Sequence, residues 1–264
     1  MMRATLSTGN FGGCALAILT FATPLQAQTA AAGAADSRWH FAIAPYFWGA
    51  GIDGTVSLKG IPEQPVHASF SDIIENFDFG LSARFEGRKG RAGFATDLLY
   101  MNLGATIPAR SVLGRFEPEV DVRQLVFEAD GFYRLHSGEQ SKGTPAFVDV
   151  LAGVRYNGMR SQIEGTGFEG TARSFDWVDG VVGVRFAAPL GAKVTLDGRG
   201  DIAGLGSDFS WQLQGNLWFN LSPRWAIGAG YRYYDVDYDK GSGLDRKIYK
   251  MATQGPALAF VYGW

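Results

Sequence analysis

The segment Gly255-Pro-Ala-Leu-Ala-Phe-Val-Tyr-Gly-Trp264 alternates between large and small residues. Leu258, Phe260, Tyr262 and Trp264 share one face of an extended chain, and Ala257, Ala259, Val261 and Gly263 share the other. Side chains of a strand alternate with period two, so this segment is a strand with one large apolar face. Such a strand leaves an open edge unless it pairs with an earlier one. Pairing with the first strand closes the sheet into a barrel and leaves no unpaired backbone.

The rest of the chain repeats the pattern. From Trp39 onward, segments of about ten residues alternate in hydrophobicity and are separated by turn residues, as membrane barrel strands do. They run at 39–49, 77–87, 91–103, 120–135, 147–157, 175–187, 194–204, 209–219, 225–234 and 255–264. Phe209, Trp211, Leu213, Leu217 and Phe219 against Ser210, Gln212, Gln214, Asn216 and Trp218 is the clearest case. The loop 50–76 has room for a small hairpin and for a helical turn at 71–76 opened by Ser71 and Asp72. The fold class is all-β: a closed antiparallel up-and-down transmembrane β-barrel of about 10 strands, with 8 or 12 as alternatives. Connections alternate between long and short, and an even count returns both ends to one side. The 36 glycines and 14% aromatic content suit this class. No apolar run reaches the length of a spanning helix. A net charge of -2 gives no basis for nucleic-acid binding.

The N-terminus reads as an export signal. Arg3 is the basic region, residues 14–22 the apolar core, and Pro24-Leu-Gln-Ala27 the cleavage site. Residues 1–27 are thus a signal peptide, 28–38 a flexible linker and 39–264 the barrel. The single cysteine, Cys14, would leave with the signal, which excludes disulfides and thiol chemistry from the mature chain.

The polar faces decide which side is lipid. They carry Arg84, Arg134, Arg155, Arg185, Arg199 and Arg232 with Glu86, Asp97, Glu128, Asp130, Asp149, Asp179, Asp197 and Asp201. Arg is suited to enclosed bidentate pairs with carboxylates, whereas Lys dominates ordinary solvent faces. These residues are expected to form a charge network inside the barrel. Its two signs balance nearly enough to neutralise one another, and a ten-stranded barrel encloses little space once long side chains point inward. Aromatic residues at strand ends suit an interfacial girdle.

Several segments carry a resemblance. Pro45-Tyr-Phe-Trp-Gly-Ala-Gly-Ile-Asp-Gly54, Trp177-Val-Asp-Gly180 with Gly183-Val-Arg185, Gly200-Asp-Ile-Ala-Gly204 with Gly206-Ser-Asp208, Gly230-Tyr-Arg-Tyr-Tyr-Asp-Val-Asp-Tyr238 and Gly255-Pro256 resemble a family of proteobacterial outer-membrane β-barrel proteins described as hypothetical or porin-like. The closing aromatic also resembles the C-terminal signature of such barrels, with Trp264 where Phe is usual. The resemblance implies the fold and a bacterial outer-membrane location. It brings no activity, cofactor or catalytic residue. It implies outer-membrane lipid and lipopolysaccharide as surroundings. It also implies recognition by the barrel-assembly machinery through Phe260, Tyr262 and Trp264, with the barrel a monomer.

The expected role is a minor pore or an envelope-structural barrel, not an enzyme. Two alternatives stand beside it. One is an outer-membrane hydrolase using His67, the one histidine in an outer loop near Ser69, Ser71 and Asp72. His40 and His136 fall at the periplasmic end. The other is a soluble periplasmic ligand-binding barrel, in which the faces would be reversed. No metal is expected. Asp235, Asp237 and Asp239 share a face, but Lys240 and Arg246 stand where a calcium loop needs Gly and Glu. A looser divalent-ion site bridging lipopolysaccharide phosphates is what those three could offer.

Overall fold

A computed structural model describes residues 37–58, 63–75, 77–106, 109–111, 114–116, 119–138, 146–164 and 171–264. The expected signal peptide, and the linker as far as residue 36, lie outside the described residues.

The chain forms β1 (Trp39–Trp48), β2 (Gly51–Leu58), β3 (Gln64–Ala68), α1 (Phe70–Glu75), β4 (Phe77–Lys89), β5 (Ala92–Thr106), β6 (Ala109–Ser111), β7 (Gly114–Phe116), β8 (Glu119–Ser137), β9 (Phe147–Glu164), β10 (Thr171–Pro189), β11 (Val194–Gly204), β12 (Phe209–Asn220), β13 (Trp225–Lys240) and β14 (Lys247–Gly263). The wall runs β1-β4-β5-β8-β9-β10-β11-β12-β13-β14, and β14 pairs with β1 to close it. Ten strands form the ring. β6 and β7 make a separate small hairpin within the β5–β8 connection.

The closure has a fixed register. Cross-strand partners lead around the ring from Trp39 through Lys89, Ala92, Tyr133, Val150, Val184, Gly200, Leu213, Tyr233 and Gln254 to Gly51. The circuit therefore returns twelve residues beyond its start, the stagger that a tilted ring of strands requires. An even stagger keeps each residue on its own side of the wall.

β1 and β2 act as one strand along β14. Partner pairs continue without a slip from Trp48↔Ala257 to Gly51↔Gln254. Between them the backbone kinks, with Ala50 N donating to Trp48 O and Gly49 N donating to Pro256 O. Gly255 makes this possible, because a Cβ there would lie 2.0 Å from Gly49 O. The other edge of β1 pairs with β4 only as far as Pro45↔Ala83, where proline has no N–H to give. Ser82 Oγ donates to Tyr46 O at the last rung. Beyond it the wall divides. β2 takes β3 as its neighbour, and α1 packs beside both, with Ile73 buried. The helical turn starts one residue earlier than expected. Its cap is Ser69, whose hydroxyl accepts from Asp72 N, while the Asp72 carboxylate accepts from Ser69 N.

Short turns and both ends of the ring lie at one rim: Gly90–Arg91, residues 190–193 and 221–224, Trp39 and Trp264. Gly90 turns in the left-handed region at φ 60°. By the convention of such barrels this rim is periplasmic and the opposite one external. β8, β9 and β10, at 19, 18 and 19 residues, run well past the 9–11 needed to cross a bilayer and project outward.

The outward face is apolar. Val154, Val178, Val182, Val184, Ile202, Leu213 and Leu217 are all at least half exposed. A lower girdle gathers Trp39, Phe41, Phe85, Phe94, Tyr262 and Trp264, with Phe41 and Trp264 exchanging backbone hydrogen bonds. A continuous apolar belt of this kind needs lipid. It also overturns the soluble-barrel alternative, which requires apolar residues inside.

Substituting Gly255 by valine is expected to prevent closure, because its side chain would meet the Gly49 carbonyl. Heat-modifiable gel migration reads this directly, as loss of the compact band. Ala252→Val on the same strand, at an outward position, is expected to retain it.

Candidate functional site

The lumen is the candidate site, and strand parity builds it. Arg84 and Glu86 on β4, Asp97 on β5, Glu128, Asp130 and Arg134 on β8, Asp149 and Arg155 on β9, Asp179 and Arg185 on β10, and Asp197, Arg199 and Asp201 on β11 all point inward, as does Arg232 on β13. Most are buried, with Asp149, Arg155 and Asp179 at 0% exposure.

The structure joins most of them into one network. Arg134 grips Asp149 with two bonds, Nε to Oδ1 at 2.8 Å and Nη2 to Oδ2 at 3.2 Å. Arg185 also reaches Asp149, at 3.0 Å, and holds Glu86 through Nη1 and Nη2 at 2.6 and 3.0 Å. Arg84 stands 3.8 Å from Glu86, 3.8 Å from Asp97 and 3.7 Å from Asp130. Arg199 meets Asp130 at 3.3 Å and Asp201 at 2.8 Å, and also pairs with Glu128. Arg155 donates to Glu128 and to Asp201, both at 2.7 Å. Each shared carboxylate thus links two guanidiniums. Buried charges survive only when paired in this way, since desolvation costs several kcal/mol per ion.

Three expected members make no Arg–carboxylate pair among the described residues. Asp179 accepts from Gly206 N, Ser207 N, Ser207 Oγ and Trp177 Nε1, so it holds the β11–β12 turn. That turn carries Leu205 at φ 100°, a costly conformation for a leucine. Asp197 accepts from Asn216 Nδ2 at 2.6 Å. Arg232 bonds Gln212 Oε1 at 2.8 Å and lies 4.7 Å above the Trp48 ring. It joins the network through amide and aromatic groups rather than through a carboxylate.

Two interior features were not anticipated. The first is an aromatic cluster. Along β10 the inward positions from the external end read Phe175, Trp177, Asp179, Val181, Gly183 and Arg185, so the aromatics lie on the external side of the charges. Phe175 and Trp177 meet Tyr238 and Tyr249 at centroid distances of 4.8–6.0 Å, with Val236 and Met251 packed beside them. Their parity with Arg185 and Arg232 could have revealed them. The expectation that aromatics belong to the girdle masked that signal. The second is Arg88, 1% exposed, which shares the parity of Arg84 and Glu86. Opposite the charged wall, Ala42, Ala44, Ala257, Ala259 and Val261 pack with Tyr46 and Trp218.

Asp235, Asp237 and Asp239 lie on the outer surface toward the external rim. Asp235 accepts from Tyr233 OH, Asp237 pairs with Lys250 at 3.1 Å, and Asp239 pairs with Arg246 at 2.6 Å. The bond from Arg246 holds the Asp239 carboxyl below its ordinary range. No cluster of three or more potential metal-binding side chains occurs among the described residues. Phe260 and Tyr262 on β14, and Trp264 just after it, all face outward.

His67 and Asp53 are cross-strand partners in the β2–β3 hairpin, with His67 Nδ1 2.8 Å from Asp53 Oδ2. The Ser69 hydroxyl donates to Asp72 instead.

No family model matches the chain, and no curated protein matches it by sequence. Among solved structures it is similar to the outer membrane protease OmpT from Escherichia coli, at TM-score 0.55 and 8% identity, over 87% of this chain and 98% of that one. It also matches the translocator domain of the autotransporter NalP from Neisseria meningitidis at TM-score 0.42 and 13% identity, over 85% and 88% of the two chains. The attachment invasion locus protein Ail of Yersinia pestis matches at TM-score 0.36 and 14% identity, over 87% and 99%. The likeness to OmpT, across so little identity, is one of fold. The chain is a ten-stranded β-barrel of the bacterial outer-membrane type with buried Arg–carboxylate pairs inside.

Glu128 is the most exacting test of the network, since it bonds both Arg155 and Arg199. Glu128→Gln is expected to destabilise the folded barrel by about 3–5 kcal/mol, the usual cost of unpairing a buried charge. Urea unfolding of the refolded protein in vesicles measures it. A loss below about 1 kcal/mol would mean that the pairs are solvated.

Proposed function

We propose that this is an outer-membrane barrel with an envelope-structural role, whose lumen is shut at rest and conducts at most in brief openings. The observation that carries this reading is the two-layer filling of the lumen. The Arg–carboxylate network crosses it from β4 to β11, and the Phe175/Trp177/Tyr238/Tyr249 cluster stands on its external side. The proposal includes the family resemblance to hypothetical and porin-like barrels. In this reading the belt faces lipid and lipopolysaccharide, the barrel works as a monomer, and Phe260, Tyr262 and Trp264 address it to the assembly machinery.

Planar-bilayer recording tests this. The native barrel is expected to give no steady conductance. Trp177→Ala with Tyr238→Ala and Arg199→Gln, which loosens both layers, is expected to raise the frequency of openings at least tenfold. A steady conductance in the native protein would replace this role with that of a standing pore.

The His67–Asp53 contact favours a second reading, a hydrolase at the external rim, and OmpT, whose fold is similar, is a protease. Asp53 would orient the imidazole as a general base. Against it, Ser69 is engaged as a helix cap, and the His67 and Asp53 side chains are 76% and 71% exposed. Hydrolysis of peptide and ester substrates by purified barrel is expected to be absent. If hydrolysis is found, a loss of 100-fold or more in His67→Ala would establish this reading.

A further inference from the structure

The inner end of the lumen carries one guanidinium too many. Three arginines crowd there: Arg88, Arg134 and Arg185. Two carboxylates serve them. Asp149 takes both donors of Arg134 and one from Arg185, and Glu86 takes the other two from Arg185. Arg88 stands two residues from Glu86 on the same face of β4. Its Nη1 donates to Gly90 O at 2.7 Å, so the guanidinium leans toward the periplasmic turn. Its Nε and Nη2 are buried and meet no acceptor among the described residues. The residue as a whole is 1% exposed.

Nε and Nη2 together form the side of a guanidinium that binds two oxygens of one anion. Arg134, in the same cluster, uses that same side on Asp149. A buried guanidinium without a counter-charge is costly, and an oxyanion with two oxygens on one atom would remove that cost. Among the described residues neither remaining wall supplies it. The opposite residue on β1 is His40, which cannot be an anion, and the nearby rings of Phe132 and Phe147 face Arg185 and Arg134.

We infer that the periplasmic end of the lumen holds an oxyanion site centred on Arg88, which takes a carboxylate or phosphate group through the paired Nε and Nη2 donors. The site lies inside the wall at the periplasmic end, so lipid headgroups do not reach it. The Arg134 and Arg185 charges reinforce it, and Glu86 and Asp149 limit the site to one negative group.

The test uses the full barrel refolded in detergent, with the temperature of heat-modifiable conversion as readout. Inorganic phosphate and acetate are each compared with chloride at matched ionic strength. Phosphate stabilises many proteins by exclusion, so the variants decide. The native barrel and Arg91→Gln, at the exposed turn, are expected to gain roughly 3–5 °C at saturating anion. Arg88→Gln is expected to lose that gain. Arg88→Lys keeps the charge without the paired donors and is expected to lose most of it, which keeps the test open if Arg88→Gln fails to fold. A gain with phosphate alone assigns the site to tetrahedral anions, and a gain with acetate assigns it to carboxylates. An equal gain in the native barrel and in Arg88→Lys, or no gain with either anion, overturns the site.

Discussion

The pairing of β14 with β1 is the constraint on which everything else rests. In hydrocarbon no water satisfies an open strand edge, so the sheet must close or stay out of the membrane. Closure is tight enough to dictate local chemistry. Gly255 is present because the Gly49 carbonyl passes where a side chain would be, and the kink at Trp48–Ala50 lets β1 and β2 follow one partner without a slip. Closing with an even stagger also sets parity around the whole ring. Every inward residue of one strand then meets inward residues of the next, and the network of charges becomes possible.

That network is a consequence of enclosure. Guanidiniums and carboxylates at nearly equal number would be solvated and weakly coupled on a surface. Inside the wall they share partners: Glu128 between Arg155 and Arg199, Asp149 between Arg134 and Arg185. The low dielectric that strengthens these bonds also makes each unpaired group expensive. Asp179 escapes by binding a turn, Arg232 by stacking on Trp48, and Arg88 stands at the periplasmic end with two of its three nitrogens meeting no acceptor among the described residues. The aromatic cluster above the charges works differently, excluding water by area rather than by charge.

Much of the site was legible because strand parity is simple. Arg84, Arg155 and Arg199 could be placed inside from their own segments, since each alternates with residues such as Leu81, Val154 or Ile202 that belong in lipid. What failed was the identity of partners. Asp179 and Arg185 share a strand and a face, yet one binds a backbone turn and the other two carboxylates. Register decides this, and register depends on ten strands at once. Phe175 and Trp177 were overlooked for a different reason: their type suits the girdle, although their parity with Arg185 along β10 puts them inside. Ser69 rather than Ser71 caps α1, a shift of the kind that local sequence settles poorly.

The sequence by itself determined the alternation, and with it the all-β class, the inward charges and the outward apolar belt. A side-chain period of two is a property of the extended backbone and needs no partner. The choice of ten strands over eight or twelve, the twelve-residue stagger, the division of the wall beyond Pro45 and the pairing of each charge were decided only in three dimensions. They depend on contacts between segments far apart in the chain, where turn geometry and the apolar pattern of every strand fix the register together.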